Sequence, residues 1–317
     1  MTRLVLGTRG SALALAQANW VRDTLLARGA AETIDLEIIH TRGDKILDVP
    51  LAKVGGKGLF VKEIELALLD GRIDLAVHSL KDMPVEQPEG LVLAAFPERE
   101  DPRDCLIFRG PQVSDAGSPA LAEGARVGTS SLRRGAQIQS IFPGIEVVSI
   151  RGNVGTRLGL LTEEDGPELD AIILAQAGLN RLNIAPDYFQ ILSPDLFLPA
   201  VGQGVLAIEC REGDLETQNA LAQLDHASTR VCVLAERAFL KAVEGSCQVP
   251  VAAHARVLGD EVELEALISS LDGVDVLKAS KKGSLTDAIP IGAELGAELM
   301  ARGGDRLLQA CLLSSEK

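Results

Sequence analysis

Positive charge, aromatic residues and paired cysteines are all scarce in this chain of 317 residues, and each scarcity excludes a class of protein. The 31 lysine and arginine residues are outnumbered by 45 aspartate and glutamate residues, which gives a net charge of −14. A chain of this charge is a poor general binder of nucleic acid, and its sign also disfavours anionic membranes. Aromatic residues make up only 3% of the chain, too few to form platforms on which bases stack.

Metal and redox motifs are missing as well. No two cysteines form a CxxC pair, so we expect neither a zinc site nor a redox-active dithiol. The four histidines do not have the spacing of metal ligands either. The odd number of cysteines predicts reduced thiols, as in a cytoplasmic protein. These cysteines are Cys105, Cys210, Cys232, Cys247 and Cys311.

Long apolar runs are also absent. No stretch of about 18 apolar residues exists, so the sequence predicts no transmembrane helix. The first ten residues carry charges inside the region that would have to be apolar in a signal peptide. We therefore expect a cytoplasmic protein.

What the chain does contain is a repeated alternation of short apolar strands and helical patterns. This alternation predicts an α/β fold with mostly parallel sheets. Charged or proline-flanked segments at 97–104 and 193–199 interrupt it and are candidate connections between domains. The remainder is typical of an α+β unit, with a hairpin strand expected at 257–267 and a last helix at 289–302.

Three loops share one design, in which a strand end is followed by arginine with hydroxyl or glycine residues and then by a helix start. They are 8–11, 128–134 and 151–157. Strand ends and helix N-termini favour anions, and arginine matches a carboxylate or a phosphate. One such loop would be an ordinary helix cap with solvated arginines. Three of them favour a site for a ligand with several carboxylates or phosphates.

Two further segments carry candidate chemistry. Lys81 and Asp82 follow the predicted strand 73–77, and an acid among arginines can stabilise a developing cation or move a proton. On its own this pair would be an exposed ion pair, and His78 is predicted to be structural. The glycine-rich segment 53–58 does not have Walker A spacing, so it is either a mobile flap over an anion or an exposed loop.

Two motifs are weaker than they look. The segment 202–207 has GxGxxA spacing, but 205–210 is predicted to be a strand rather than a helix, so we reject a dinucleotide site. Cys247 follows a predicted helix, where the helix dipole does not favour a thiolate. Its spacing alone indicates a small structural residue.

Taken together, these segments resemble the porphobilinogen deaminase (hydroxymethylbilane synthase) family over nearly the whole chain. The motifs that carry the resemblance are GTRGSALALAQ, PLAKVGGKGLFVKEIE, DLAVHSLKDMP, EREDPRD, VGTSSLRR, SIRGNVGTRL, LPAVGQG and GSCQVPVAAHA. The resemblance implies a transferase of tetrapyrrole (heme and porphyrin) biosynthesis. Such an enzyme deaminates four porphobilinogen molecules and joins them head to tail into hydroxymethylbilane.

The resemblance also implies the residues that would carry this chemistry. A dipyrromethane cofactor would be joined by a thioether to Cys247, and Asp82 would be the catalytic residue that stabilises the cation left when ammonia departs. A larger set would bind the carboxylates of the pyrrole rings or line the cleft. This set is Arg9, Ser11, Gln17, Lys53, Lys57, Ser79, Lys81, Thr129, Ser130, Ser131, Arg133, Arg134, Arg151, Gly152, Arg157 and Gln203.

The implied fold has three α/β domains. The first two (1–98 with 203–226, and 103–198) would resemble the two lobes of type II periplasmic binding proteins, with the chain crossing twice between them. The third (227–317) would be a small α+β domain that carries Cys247. The family is typically monomeric and cytoplasmic, with no metal, nucleic-acid or membrane partner. The alternative is a non-enzymatic two-lobed receptor for an anion, which would not react with Ehrlich's reagent as a bound dipyrromethane does.

Overall fold

A computed structural model describes residues 3–41, 43, 61–111, 121–163, 166–243 and 249–315. The strands, in chain order, are β1 (Arg3–Thr8), β2 (Thr33–Ile38), β3 (Leu75–Ser79), β4 (Leu91–Ala95), β5 (Asp104–Phe108), β6 (Arg126–Gly128), β7 (Glu146–Val148), β8 (Ala171–Ala175), β9 (Phe189–Ile191), β10 (Leu206–Arg211), β11 (Val251–Leu258), β12 (Glu261–Ser269) and β13 (Val276–Ser284).

The α-helices of the described residues alternate with these strands. They are α1 (Ala12–Ala27), α2 (Lys62–Leu69), α3 (Leu132–Ile141), α4 (Val154–Gly159), α5 (Gln176–Arg181), α6 (Leu215–Ala222), α7 (Ala227–Ala242), α8 (Ala288–Leu299) and α9 (Asp305–Ser315). None of the described helices is long and apolar enough to span a bilayer.

Two five-stranded sheets have the same plan. The first has the order β2-β1-β3-β10-β4 and the second the order β7-β6-β8-β5-β9. In each sheet the first three strands are parallel, and the fourth runs antiparallel to both of its neighbours. The predicted α/β fold is confirmed.

The chain passes twice between these sheets. It leaves the first sheet after β4 and enters the second at β5, then returns from β9 to β10, which fills the antiparallel position in the first sheet. Each sheet draws its strands from one of the three predicted domains, and the domain bounds themselves remain a prediction. The strand β10 also confirms that the segment after Gly204 is a strand, so the GxGxxA spacing has no helix to lead into.

Helical periodicity explains how the first sheet is covered. Ser11 accepts a hydrogen bond from the amide of Ala14 and so caps α1, whose buried residues Ala18, Val21 and Leu25 lie on one face. They pack in one core cluster with strand residues that include Leu6. The loop before α1 is thereby held at the carboxyl end of β1.

The third sheet is an antiparallel meander, β11-β12-β13, covered by α7 and α8. The single strand expected at 257–267 is wrong, because the chain turns within it. Gly259 has φ +64°, a value that glycine adopts readily, and it separates β11 from β12. The helix expected at 289–302 is present as α8, which ends at Leu299, but it is not the last one, because α9 follows at 305–315.

Candidate active site

Two neighbouring open spaces lie along the cleft between the first two sheets. Leu13, Gln17 and Ser79 line both of them. The second space is lined from both sides, by Lys81 after β3 and by Arg157 of α4 beyond the second sheet. The cleft is therefore a single surface to which both sheets contribute.

The first space lies where two parallel strands end. Because β1 and β3 are neighbours, the loops that follow them meet at one sheet edge, and this brings Arg9 and Ser11 close to Ser79 and Asp82. Gln17 of α1 donates a hydrogen bond to the hydroxyl of Ser79 at 3.1 Å. These five predicted residues are thus brought together by the structure.

Asp82 is presented to the cleft by a single tight turn. Leu80–Asp82 form a 3₁₀ turn directly after β3, in which Leu80 is buried and Asp82 is exposed. The amide of Leu80 donates to the carbonyl of Val205 at 3.0 Å, which ties the turn to the second crossing. Asp82 is the only carboxylate among the described residues that line either space.

The second space is lined by cations. Lys81, Arg134, Arg157 and Arg181 all face it, with no acidic residue among its described lining. Burial and the charge of Arg134 lower the pKa of Lys81 to about 8, against the opposing effect of Asp82. Such crowding of like charges predicts that a ligand with several carboxylates would bind here.

The arginines of this space are held by backbone oxygens. Arg157 donates to the carbonyl of Gly152 at 2.8 Å, and Arg181 to that of Gly204 at 2.7 Å. Burial lowers the pKa of both side chains, that of Arg181 to about 10. Because a guanidinium has five N–H donors, each keeps further donors for a ligand.

A buried carboxylate organises the wall behind the second space. Asp104 is fully buried and pairs with Arg133 at 2.7 Å and with Arg134 at 2.7 Å, while the Gln203 amide donates to it at 3.0 Å. Burial alone would raise the pKa of Asp104, but Arg133 and Arg134 hold it well below its usual range. Arg133 also donates to the carbonyl of Leu198 at 2.8 Å.

The remaining predicted residues are placed differently. Arg133 and Gln203 lie behind the cleft wall, not among the described residues lining either space. Thr129, Ser130, Ser131, Arg151 and Gly152 are also not among the described residues lining either space, and they stay predicted binding residues. Ser131 caps α3 by accepting from the amide of Arg134. Lys53, Lys57 and Cys247 lie outside the described residues.

Comparison with known proteins identifies the family. Residues 4–219 match the family described as "Porphobilinogen deaminase, dipyromethane cofactor binding domain", and residues 230–301 match "Porphobilinogen deaminase, C-terminal domain". The chain belongs to the porphobilinogen deaminase family. This outcome confirms the resemblance inferred from the motifs, including the expected dipyrromethane cofactor.

Named relatives are similar over almost their whole length. The porphobilinogen deaminase of Trichlorobacter lovleyi is 52% identical over 307 residues, which cover 97% of this chain and 96% of that protein. That of Geobacter metallireducens is 51% identical, covering 96% and 94%. Among solved structures, the second substrate-binding domain of a Streptococcus pneumoniae amino-acid ABC transporter is 13% identical, covers 70% and 93%, and has a TM-score of 0.41, too low to carry an argument.

The residues of the cleft fit the cofactor of this family. A dipyrromethane carries acetate and propionate groups on both rings, so it needs several cations and few acids around it. The cleft offers Arg9 in the first space and four cations in the second. The loops predicted to bind anions therefore form part of a surface with the right charge.

Arg181 lies outside the three loops predicted to bind anions. It lies on α5, directly after β8, so it follows the same strand-to-helix design as the other cleft arginines. Its helix has no hydroxyl residue in front of it, which is why the loop pattern missed it. His78, predicted to be structural, is buried and lies 3.1 Å from Glu209, and it also lines the first space.

Proposed function

We propose that this chain is a transferase that deaminates porphobilinogen and joins four molecules of it into hydroxymethylbilane. The observation that carries the proposal is that Asp82 is the one carboxylate among the described lining of two neighbouring spaces, which also present Arg9 and four further cations. Cations bind the acetate and propionate groups of the substrate. A single acid can then act on the part of the substrate that becomes positive.

Asp82 has an electrostatic role in this proposal. When porphobilinogen loses ammonia, the bond between its aminomethyl carbon and nitrogen breaks and the electron pair leaves with nitrogen. The pyrrole ring is left with a positive charge that the carboxylate of Asp82 stabilises. Asp82 is preorganised for this because Leu80 and Val205 fix the turn that bears it.

The cations of the cleft have a positioning role. Arg9 and Ser11 are proposed to bind carboxylates beside Asp82, and Lys81, Arg134 and Arg157 to bind those of further rings in the second space. Charge-assisted bonds of this kind hold a reacting carbon in place more strictly than neutral ones. Asp104 keeps Arg134 oriented through its ion pair.

The dipyrromethane is proposed to be attached to Cys247, where it supplies the pyrrole ring to which substrate is added. The four other cysteines support this assignment, because all of them are buried. Burial raises the pKa of Cys105 to about 12 and that of Cys210 and Cys232 to about 11, so these thiols are poor nucleophiles.

We further propose the three domains 1–98 with 203–226, 103–198 and 227–317, and a cytoplasmic monomer that binds neither nucleic acid nor membrane. The net charge of −14 supports the lack of nucleic-acid binding. The sheets support the domain division, since each takes its strands from one of these segments.

The experiment that tests the function is the intact mass of the denatured chain before and after incubation with porphobilinogen. We expect a covalent increment of two condensed pyrroles at the start, further pyrrole increments during turnover, and release of hydroxymethylbilane. The variant Cys247→Ser should lack every mass increment. The matched control is Cys105→Ser, which changes a buried cysteine and should keep the increments. An unmodified chain that binds porphobilinogen without converting it would instead be a receptor.

A further inference from the structure

The loop that follows Asp82 is held by a side chain from the C-terminal part of the chain. Arg237 of α7 donates through one nitrogen to the carbonyl of Pro84 at 3.0 Å and to that of Val85 at 2.5 Å. The same nitrogen lies 3.2 Å from the amide oxygen of Gln87. The amide nitrogen of Gln87 in turn donates to Pro84 at 3.0 Å, which closes the loop on itself.

A second residue of α7 supports the other side of Asp82. Val233 is fully buried in the cluster that contains Leu80 and Met83, the residues that flank Lys81 and Asp82. Val233 and Arg237 are four residues apart and so lie on one face of α7. This face therefore contacts both flanks of the turn that presents Asp82 to the cleft.

The surroundings of Arg237 indicate that it positions the loop after Asp82. Arg237 is half-buried, burial lowers its pKa, and its partners among the described residues are neutral oxygens. Placing a cation there costs desolvation that no neighbouring carboxylate offsets. What the side chain does provide is a single donor nitrogen around which three oxygens of the loop after Asp82 converge.

The helix that carries Arg237 is rigidly joined to the third sheet. Glu236, the preceding residue, is fully buried and accepts a hydrogen bond from the amide of Ala255 in β11 at 2.8 Å. The helix ends at Ala242, five residues before Cys247. Displacement of α7 would therefore displace the Asp82 turn and β11 together.

We infer that Arg237 is a positioning residue that sets the place of Asp82 relative to the C-terminal domain. This inference rests on the proposed roles of Asp82 and Cys247. In the proposed reaction Asp82 belongs to one domain and the attachment residue Cys247 to another, so a small misplacement of Asp82 would reduce the rate of the chemical step. A shift of about 1 Å can cost on the order of 100-fold in rate.

The test compares Arg237→Gln with the wild-type holoenzyme in steady-state turnover of porphobilinogen. We expect kcat to fall by at least about tenfold, while KM stays within about twofold because the carboxylate-binding arginines are untouched. Intact mass should show the same cofactor increment as in the wild type. Hydrogen exchange should become faster in the segment 80–87.

Two companion variants separate positioning from stability. Lys241→Gln breaks the exposed ion pair between Lys241 and Glu86, which joins the same helix and loop at 3.0 Å, and it should leave kcat unchanged. Gln87→Ala removes one acceptor of Arg237 from the loop side, without altering α7. It should lower kcat less than Arg237→Gln does, and the double variant should be no slower than Arg237→Gln alone.

Three results would overturn the inference. The first is a kcat of Arg237→Gln within twofold of the wild type. The second is loss of the cofactor mass increment in Arg237→Gln. The third is a double variant whose loss of kcat is the product of the losses in Arg237→Gln and Gln87→Ala. Asp82→Asn, measured in the same assay, keeps the two proposals apart. If it turns over normally, the catalytic role of Asp82 fails. If it is inactive while Arg237→Gln is normal, only the positioning role fails.

Discussion

At the scale of single residues, the positive side chains of the cleft repel one another, and a bound ligand with several carboxylates would offset this repulsion. Lys81 is the clearest case, since burial and Arg134 lower its pKa from its ordinary value of 10.5 to about 8. Between these two values the unfolded chain binds more protons than the folded one, so Lys81 makes the fold more stable as pH rises. Carboxylate binding has the opposite requirement, because it needs the charged amine.

The first prediction follows from that difference. Above pH 8, Lys81 must take up a proton before it can bind a carboxylate, so KM for porphobilinogen should rise with pH in the wild type. In Lys81→Arg the guanidinium stays charged, and this part of the rise should disappear. The measurement is KM between pH 7 and 9.5 for both enzymes. Titration of the substrate amine affects both equally, so identical pH profiles would contradict the assigned role of Lys81.

At the scale of elements, the packing over the third sheet depends on a close approach of the helices α7 and α8. A Cβ at Gly292 of α8 would lie 2.1 Å from the carbonyl oxygen of Ala235 in α7, which is far inside any real contact. The helices can pack only because this position lacks a side chain. Since α7 also carries Arg237, this packing affects the Asp82 turn as well as the fold.

The second prediction concerns this contact. Gly292→Ala should lower the free energy of unfolding by about 1–3 kcal/mol, although alanine is favoured over glycine within a helix by about 1 kcal/mol. Gly159→Ala in α4 is the matched control, because a Cβ there meets no atom within 4 Å. It should leave stability unchanged or slightly raised. Thermal or urea unfolding of both variants checks this, and equal stability would show that α7 and α8 adjust freely.

Elements with clear periodicity were predictable from the sequence, and those shaped by their surroundings were not. The strand β10 lies within one residue of the prediction at each end, because it is a short run of mainly apolar residues. The strand β13 was missed, since its residues are alternately exposed and its lysines pair with acids of β12 and α8. The helix α6 was missed because 211–228 is mostly polar, and only three of its residues are buried.

At the scale of the whole molecule, the two crossings and the helix α7 meet at one buried carboxylate. Glu236 pairs with Arg99 of the first crossing at 2.5 Å and accepts from the amide of Gly202 in the second crossing at 2.7 Å. Burial alone would raise the pKa of Glu236, but Arg99 and His254 lower it to about 2. Because Glu236 also accepts from the amide of Ala255 in β11, this junction links both crossings to the third sheet.

The arrangement of strands and crossings in the whole molecule also explains which site residues could be placed from the sequence and which could not. Arg9, Ser11 and Asp82 follow strand ends, and strand ends of one parallel sheet meet, so their grouping was predictable. Arg133 and Arg134 have the same local pattern and both pair with buried Asp104, yet only Arg134 lines the second space. These pairings depend on where the first crossing enters the second sheet, which no local pattern encodes. Arg237 was missed for the same reason.

The central claim is that Asp82 stabilises the cation formed when ammonia leaves, and Asp82→Asn tests it most directly. The variant keeps the shape of the side chain and removes its charge. We expect an unchanged thermal unfolding midpoint and a kcat lower by about 10²–10³. Glu86→Gln, an exposed acid four residues further on, should turn over at the wild-type rate. Near-normal turnover of porphobilinogen by Asp82→Asn would contradict the account.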